Sequence, residues 1–260
     1  MSHINWSADP ILLSFFGINI GWYGLLFGGA IFLGSKIMES IYRNEGKDVQ
    51  SLDSLFLFSV VGIVLGARLV HCLFYEPSYY LSNPLEILKI WKGGLASHGG
   101  GLGVLLGTIY YCKKYNMNYL WVVDRLAIPT ALFGFFVRMG NFFNSEILGN
   151  ATDVPWAIVF SRIDSVPRHP AQLYEALAYL VIFIGLYTLY KRSYKSLATG
   201  TLFGTFLILT FTARILVEFF KQRQAAYSAD FLLSTGQLLS IPFILVGVVL
   251  VLRAVKTKPA

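Results

Sequence analysis

The sequence predicts an all-α protein, a polytopic transmembrane helical bundle of about seven spans with a polar connection between spans four and five. Three observations carry this prediction. Hydrophobic residues make up 55% of the 260 positions and charged residues only 13%, where soluble domains carry roughly 25% charged residues. The mean hydropathy is +0.60, and apolar stretches recur at close to the ~20 residues that a helix needs to cross a bilayer. Phe 21, Tyr 15, Trp 5 and Gly 24 supply the aromatic and small residues that membrane helices use at interfaces and close crossings.

The first apolar stretch lies near residues 18–38. Met1–Gly17 contains no Lys or Arg, so it lacks the basic region of a cleaved signal peptide and the stretch is expected to remain as a membrane helix. Further spans are expected near 55–74, 101–115, 121–139, 173–190, 200–219 and 238–252; the third is short and rich in glycine. Turn-forming breaks such as Asn44–Lys47 and Glu76–Ser78 separate them. The longest connection, 141–170, is polar with an apolar insert at Trp156–Phe160, long enough to form a folded cap or a site loop. No internal repeat or separate soluble domain is visible, so residues 1–260 read as one integral membrane domain. Cys72 and Cys112 end apolar runs without metal or disulfide spacing and read as buried thiols.

The formal charge of +7 is spread over short loops, which suits anionic lipid headgroups and not nucleic acid. Eleven basic residues fall in the connections on one side of the spans and six on the other. That asymmetry places the N-terminus outside and the C-terminus in the cytoplasm.

Four arginines, Arg68, Arg125, Arg138 and Arg214, fall within spans, where each costs several kcal/mol unless it faces a partner or a wet cavity. Arg214 precedes Glu218 by one turn. The two are either an ion pair near a helix end or an arginine held by its carboxylate and aimed at an anion. Guanidinium donors match phosphate in pairs, which makes a phospholipid headgroup the natural candidate. If the fourth helix continues briefly, Arg138, Asn141 and Ser145 share a face. Asn144 and Glu146 follow, Gly140 permits close approach, and Gly149 ends or bends the segment. This is either an interfacial cap or a recognition network. His98 lies among the glycines of 93–103, which leave its imidazole accessible and free backbone N–H groups for an anion; the alternative is a structural histidine at a helix start. In Arg168–Glu175, Pro170 fits a helix beginning, and Gln172 and Glu175 share a face. Arg168 and His169 are expected at headgroup level. Trp22-Tyr23-Gly24 fits an aromatic belt. The four histidines have no zinc spacing, no P-loop or nucleotide fingerprint is present, and nothing points to a cofactor or metal.

Taken together these segments resemble the prolipoprotein diacylglyceryl transferase family over nearly the whole chain. The strongest match is Arg138–Gly149, similar to the family signature of Arg, Gly-Asn, Asn, Glu and Gly. Gly94–Gly103 with His98, Arg168–Glu175, Arg214 with Glu218, Gly236–Pro242, and Tyr23 in the first span are also similar. The resemblance implies a seven-span inner-membrane enzyme whose site opens to the periplasmic side and to lipid. It implies transfer of the diacylglyceryl group of phosphatidylglycerol to the lipobox cysteine of a preprolipoprotein, giving a thioether and glycerol-1-phosphate. It makes His98 the leading candidate base, with Glu146 a second candidate or an orienting partner. Arg138 and Arg214 would neutralise the phosphate, Glu218 would orient Arg214, and Asn141 would bond the glycerol or phosphate. Tyr23, Gly99, Asn144, Gly149, Arg168, Gln172, Glu175 and Glu218 are expected to line the substrate. The chain departs from the family pattern at Val137 and Ser145, where glycine is usual, and at Thr210, where some members have tyrosine. Two other classes use similar charges, a small-solute or ion transporter and a structural membrane scaffold.

Overall fold

The computed structural model describes residues 3–90, 93–94, 96–222 and 234–257, with the backbone alone for Ile18, Ser97, His98 and Thr235. Lys92, Arg223 and Lys258, three of the basic residues that set the expected orientation, lie outside the described residues. The chain divides into two compact units, residues 1–38 with 124–260, and residues 39–123.

Among the described residues there are eight α-helices: α1 (Trp22–Asn44), α2 (Ser51–Val70), α3 (Pro77–Ser82), α4 (Ser97–Lys114), α5 (Tyr119–Phe143), α6 (Ala171–Ser193), α7 (Thr201–Glu218) and α8 (Thr235–Thr257). A π-helical turn, His71–Tyr75, extends α2. Six helices are long and apolar enough to cross a membrane: α1, α2 with its extension, and α5 to α8. The expected third span is α4, which is not one of the six. Gly99, Gly100, Gly101, Gly103 and Gly107, with Lys113 and Lys114 at its end, dilute its apolar character.

The first span begins later than expected. Residues Ile18–Gly21 are strand β3, paired antiparallel with β2 (Ile11–Phe15). The connecting Phe16 and Gly17 both have positive φ, +49° and +78°, the backbone of a tight two-residue hairpin turn. A second small sheet caps the same unit. In it β1 (Ile4–Trp6) lies parallel to β4 (Ile158–Phe160), and β4 pairs antiparallel with β5 (Pro167–Arg168). These short strands, which the all-helical reading did not contain, give the backbone of the long connection hydrogen-bond partners outside any helix. The apolar insert Trp156–Phe160 of the long connection contains β4. Ile158 and Phe160 bury against Phe142, and Trp6, Leu148 and Leu173 pack around them.

In the larger unit, α1 and α5 are pressed together at small residues. A Cβ on Gly140 would stand 2.7 Å from the Tyr23 ring, and one on Gly34 would stand 3.3 Å from Pro129. Phe27 and Phe133 meet edge to face at 4.9 Å between them. Helices α7 and α8 touch at Gly204 and Gly247, and Phe211 stacks on Phe243 at 4.4 Å. The N-terminus of α7 is capped from α5. Asp124, fully buried, accepts the Phe203 N–H at 2.7 Å and holds Arg125 at 3.1 Å. A carboxylate there meets both the unpaired first-turn amides and the positive end of the helix dipole.

In the unit of residues 39–123, glycines set the distance between α2 and α4. A Cβ on Gly62 or Gly66 would collide with the backbone oxygen of Gly103 or Gly99, and a Cβ on Gly107 with that of Phe58. This is small-residue packing at four-residue spacing, which lets two helix backbones touch. The role explains much of the glycine density around His98. Arg68 is 3% exposed and donates to four backbone carbonyls, Ile87 at 2.9 Å, Glu86 and Gly93 at 2.5 Å, and Gly94 at 3.3 Å, with its guanidinium over the Tyr80 ring at 5.0 Å. It ties the segment before α4 to the end of α2. Cys72 and Cys112 are buried free thiols, as expected.

Gly103→Val should lower stability in detergent by about 1–3 kcal/mol, the usual cost of overpacking. Gly101→Ala, whose Cβ meets nothing within 4 Å, should raise it slightly through helix propensity. Thermal unfolding followed by circular dichroism separates the two; equal shifts would contradict the packing role of Gly103.

Candidate functional site

Helix α5 delivers Arg138 and Asn141 on one face, and Arg138 Nη1 donates to Asn141 Oδ1 at 3.1 Å. Asn141 Nδ2 then donates to Glu146 Oε2 at 2.9 Å, and Asn144 Nδ2 to Glu146 Oε1 at 3.1 Å. Both carboxylate oxygens of the exposed Glu146 are therefore held by amides. Because Asn141 accepts from a guanidinium and donates to a carboxylate, its amide orientation follows from the network.

The expected sharing of a face by Arg138, Asn141 and Ser145 is corrected in one member. Helix α5 ends at Phe143, and Ser145 adopts φ +56°. Ile147, on the other side of Glu146, adopts φ +57°, a costly conformation for a β-branched residue. Two left-handed residues therefore flank Glu146. The glycine usual at position 145 in the family has a physical reason here, since Ser145 takes a glycine-like backbone. Its buried Oγ has no hydrogen-bond partner among the described residues.

Helix α6 supplies the counter-charge. Glu175 is 2% exposed, with Arg138 Nε 2.7 Å from Oε2 and Lys221 Nζ 2.8 Å from Oε1. The Arg138 N–H is not aimed along its contact, so Oε2 has an ion partner without a directed hydrogen bond. One turn before, Gln172 is fully buried and its Nε2 donates to the Glu146 carbonyl at 2.5 Å. Tyr179, one turn after Glu175, lies in the field of Glu175, Arg138 and Arg214. Its ring covers Gly134. Tyr23, packed on Gly140, lies in the field of Glu146 and Arg138.

The segment after Glu146 is threaded between two others. Gln222 N–H donates to Leu148 O at 3.1 Å and Asn150 N–H to Phe220 O at 2.8 Å, while His169 N–H donates to Asn150 O at 3.0 Å. A Cβ on Gly149 would collide with the His169 backbone oxygen, so the three segments fit only around a glycine. Arg168 pairs with Asp164 at 2.6 Å, and that hydrogen bond holds the Asp164 carboxyl below the usual carboxylate range.

The expected Arg214–Glu218 pair is not made. Glu218, the last residue of α7, turns to the start of α8. There Ser234 Oγ donates to Oε1 at 3.0 Å, and Lys221 Nζ stands 3.7 Å from Oε2. Ser234 and Gln237 form a reciprocal capping box: Gln237 N–H donates to Ser234 Oγ at 3.2 Å and Ser234 N–H to Gln237 Oε1 at 2.9 Å. A Cβ on Gly236 would stand 2.9 Å from Glu218 Oε1, so the motif that contains Gly236 seats this carboxylate. Glu218 follows the unpaired amides at the α8 N-terminus, and Arg214 is left without a hydrogen-bond or ion-pair partner among the described residues. One turn before it, the buried Thr210 hydroxyl also lacks a partner among them.

Lys221 was expected only as a flanking charge. It is a half-buried member of the site, and desolvation pushes its ammonium below the usual lysine range although Glu175 pulls the other way. Its place three residues after Glu218 is the signal that could have found it. His98 and Gly99 open α4 in the other unit; Gly99 packs against Gly66, and the His98 side chain lies outside what the structure describes.

A multi-span helical membrane protein with a buried ionic network and an unpaired arginine has the form of a membrane enzyme or carrier for an anionic group. The comparisons narrow this. The sequence profile described as prolipoprotein diacylglyceryl transferase matches residues 10–253. The chain is 55% identical over 254 residues to a protein of Tolumonas auensis, covering 97% of this chain and 98% of that one. It is 45% identical to proteins of Chloroherpeton thalassium, covering 98% and 96%, and of Bacteroides fragilis, covering 94% and 93%. All three are named phosphatidylglycerol–prolipoprotein diacylglyceryl transferase. The chain belongs to the prolipoprotein diacylglyceryl transferase family.

Ser145→Gly should raise the unfolding midpoint by the equivalent of about 1 kcal/mol. It removes left-handed strain of about 1–2 kcal/mol and a buried unpaired hydroxyl, against about 0.4–1 kcal/mol of chain entropy; a lower midpoint would contradict the strain. Glu175→Gln should cost about 3–5 kcal/mol, as expected when a buried ion pair loses one partner. Chemical denaturation in detergent measures it, and a near-neutral outcome would contradict the central place given to Glu175.

Proposed function

We propose that this chain transfers the diacylglyceryl group of phosphatidylglycerol to the thiol of the lipobox cysteine in a preprolipoprotein, the first step of lipoprotein maturation. The sulfur attacks the glyceryl carbon that bears the phosphate oxygen, and the carbon–oxygen bond breaks. A thioether forms and glycerol-1-phosphate leaves. The thiol proton goes to a base and from there to the departing phosphate; because only the carbon–oxygen bond to the phosphate breaks, neither acyl ester is hydrolysed. The observation that carries the reading is Arg214, a guanidinium in a membrane helix with no hydrogen-bond or ion-pair partner among the described residues, whose field reaches Tyr179 together with those of Arg138 and Glu175. Such a group is costly in the membrane without an anion, and a phosphodiester supplies one in matching geometry.

In this reading Arg138 and Arg214 neutralise the phosphate as charge grows on the leaving group. Asn141 and Asn144 present Glu146, Gln172 holds its backbone, and Tyr23, Gly149, Arg168, Glu175 and Glu218 shape the substrate surround. Glu218 acts by seating the start of α8, not by orienting Arg214. His98 and Gly99 carry their roles by the family resemblance, with His98 the leading base and Glu146 the alternative. Lowering the thiol's barrier to ionisation is the base's task, since a free cysteine has a pKa near 8.5. The 260 residues act as one membrane domain in the bacterial inner membrane. The basic-residue asymmetry supports an external N-terminus and a cytoplasmic C-terminus.

Purified protein supplied with labelled phosphatidylglycerol and a lipobox peptide should yield the thioether, read by mass spectrometry; no modified cysteine would retire the reading. In that assay Arg214→Lys should lower kcat/KM about 10- to 100-fold, the worth of one lost charge-assisted hydrogen bond. Activity near wild type would count against paired donation to the phosphate. His98→Gln should abolish the pH dependence of thioether formation, and an unchanged profile would transfer the base role to Glu146.

A further inference from the structure

Beside the ionic network lies a cavity of about 430 Å³, lined by Asn150, Glu218, Phe219, Lys221, Gln222, Ser234 and Gln237. The volume is within the usual range for small-ligand sites, yet the lining is polar and unsuited to an acyl chain. Two of its groups are charged and stand against each other, with Lys221 Nζ 3.7 Å from Glu218 Oε2 and 2.8 Å from Glu175 Oε1 behind it. Ser234 and Gln237 are tied into the α8 cap, and Asn150 Nδ2 donates to Phe219 O at 3.2 Å, while its Oδ1 accepts no hydrogen bond among the described residues. The cavity thus offers hydrogen-bond donors and acceptors in a setting where the local charges offset one another.

Position relative to Arg214 identifies what fits. Glu218 follows Arg214 by four residues on the same helix face, an axial step of about 6 Å. A phosphodiester seated on Arg214 would carry its polar substituent into this cavity. A cationic headgroup would meet the Lys221 ammonium, whereas a neutral polyol donates to Glu218 and accepts from Lys221. We propose that the cavity is a diol subsite, which receives the uncharged terminal glycerol of the donor lipid and selects that lipid by its headgroup. The assignment rests on the transferase reading above.

The test compares three donors in vesicles of otherwise equal composition: phosphatidylglycerol, phosphatidylpropanol (the same phosphodiester without hydroxyls) and phosphatidylethanolamine. Wild-type kcat/KM should favour phosphatidylglycerol over phosphatidylpropanol by about tenfold or more, the worth of one to two hydrogen bonds. Lys221→Met and Ser234→Ala should bring that ratio towards one, read within each variant so that a loss common to both donors cancels. Ser234→Ala removes a single hydroxyl, so it reports even where Lys221→Met fails to fold. A wild-type ratio near one, or a ratio unchanged in Ser234→Ala, would overturn the subsite. No thioether from any donor would overturn the transferase reading itself.

Discussion

The site depends on one buried carboxylate held between two cations. Glu175 comes from α6, Arg138 from α5, and Lys221 from the residues just past α7. None of the three could be buried alone at acceptable cost, because desolvating an unpaired charge outweighs what apolar packing returns at one position. Together they close a circuit that fixes three helices at one height. The Arg138 end of the circuit continues through Asn141 to Glu146, and the Lys221 end lies on the bridge with Gly149. The network therefore sets both the position of Glu146 and the path of the segment that follows it.

Glycine and strain do the fine positioning. Gly140 lets Tyr23 come down on α5, Gly149 lets the 148–150 segment pass between its neighbours, and Gly236 makes room for the Glu218 carboxylate. At Ser145 and Ile147 the chain takes a glycine-like backbone without glycine. Such strain persists only where surrounding contacts over-determine the turn. Here the Asn141, Asn144 and Gln172 hydrogen bonds to Glu146 provide that constraint.

Glu175 of α6 and Glu218 at the end of α7 divide their work. Glu175 bridges Arg138 and Lys221, while Glu218 satisfies the α8 N-terminus through Ser234. That division leaves Arg214 unclaimed, with the unpartnered Thr210 hydroxyl one turn away. A helix that spent its carboxylate on its own arginine would have no cation left for a substrate.

The sequence by itself located the six helices long and apolar enough to cross a bilayer, because crossing demands long apolar runs that can be read one residue at a time. It also marked polar and charged groups that such runs do not call for, and with them most of the candidate network: Arg138, Asn141, Glu146, Gln172, Glu175 and Arg214. It could not decide who pairs with whom. Arg214 and Glu218 are the natural local pair by spacing, yet the tertiary structure sends Glu218 to α8 and gives Glu175 to Arg138. Lys221 reads as a flanking charge until Glu175 of α6 pairs with it. The hairpin of β2 and β3 was likewise hidden inside an apolar run, since a four-residue strand and a helix start look alike until a turn pairs the backbone. Local periodicity reports what one element needs, whereas ion pairing is settled by desolvation, which depends on every element that closes around the charge.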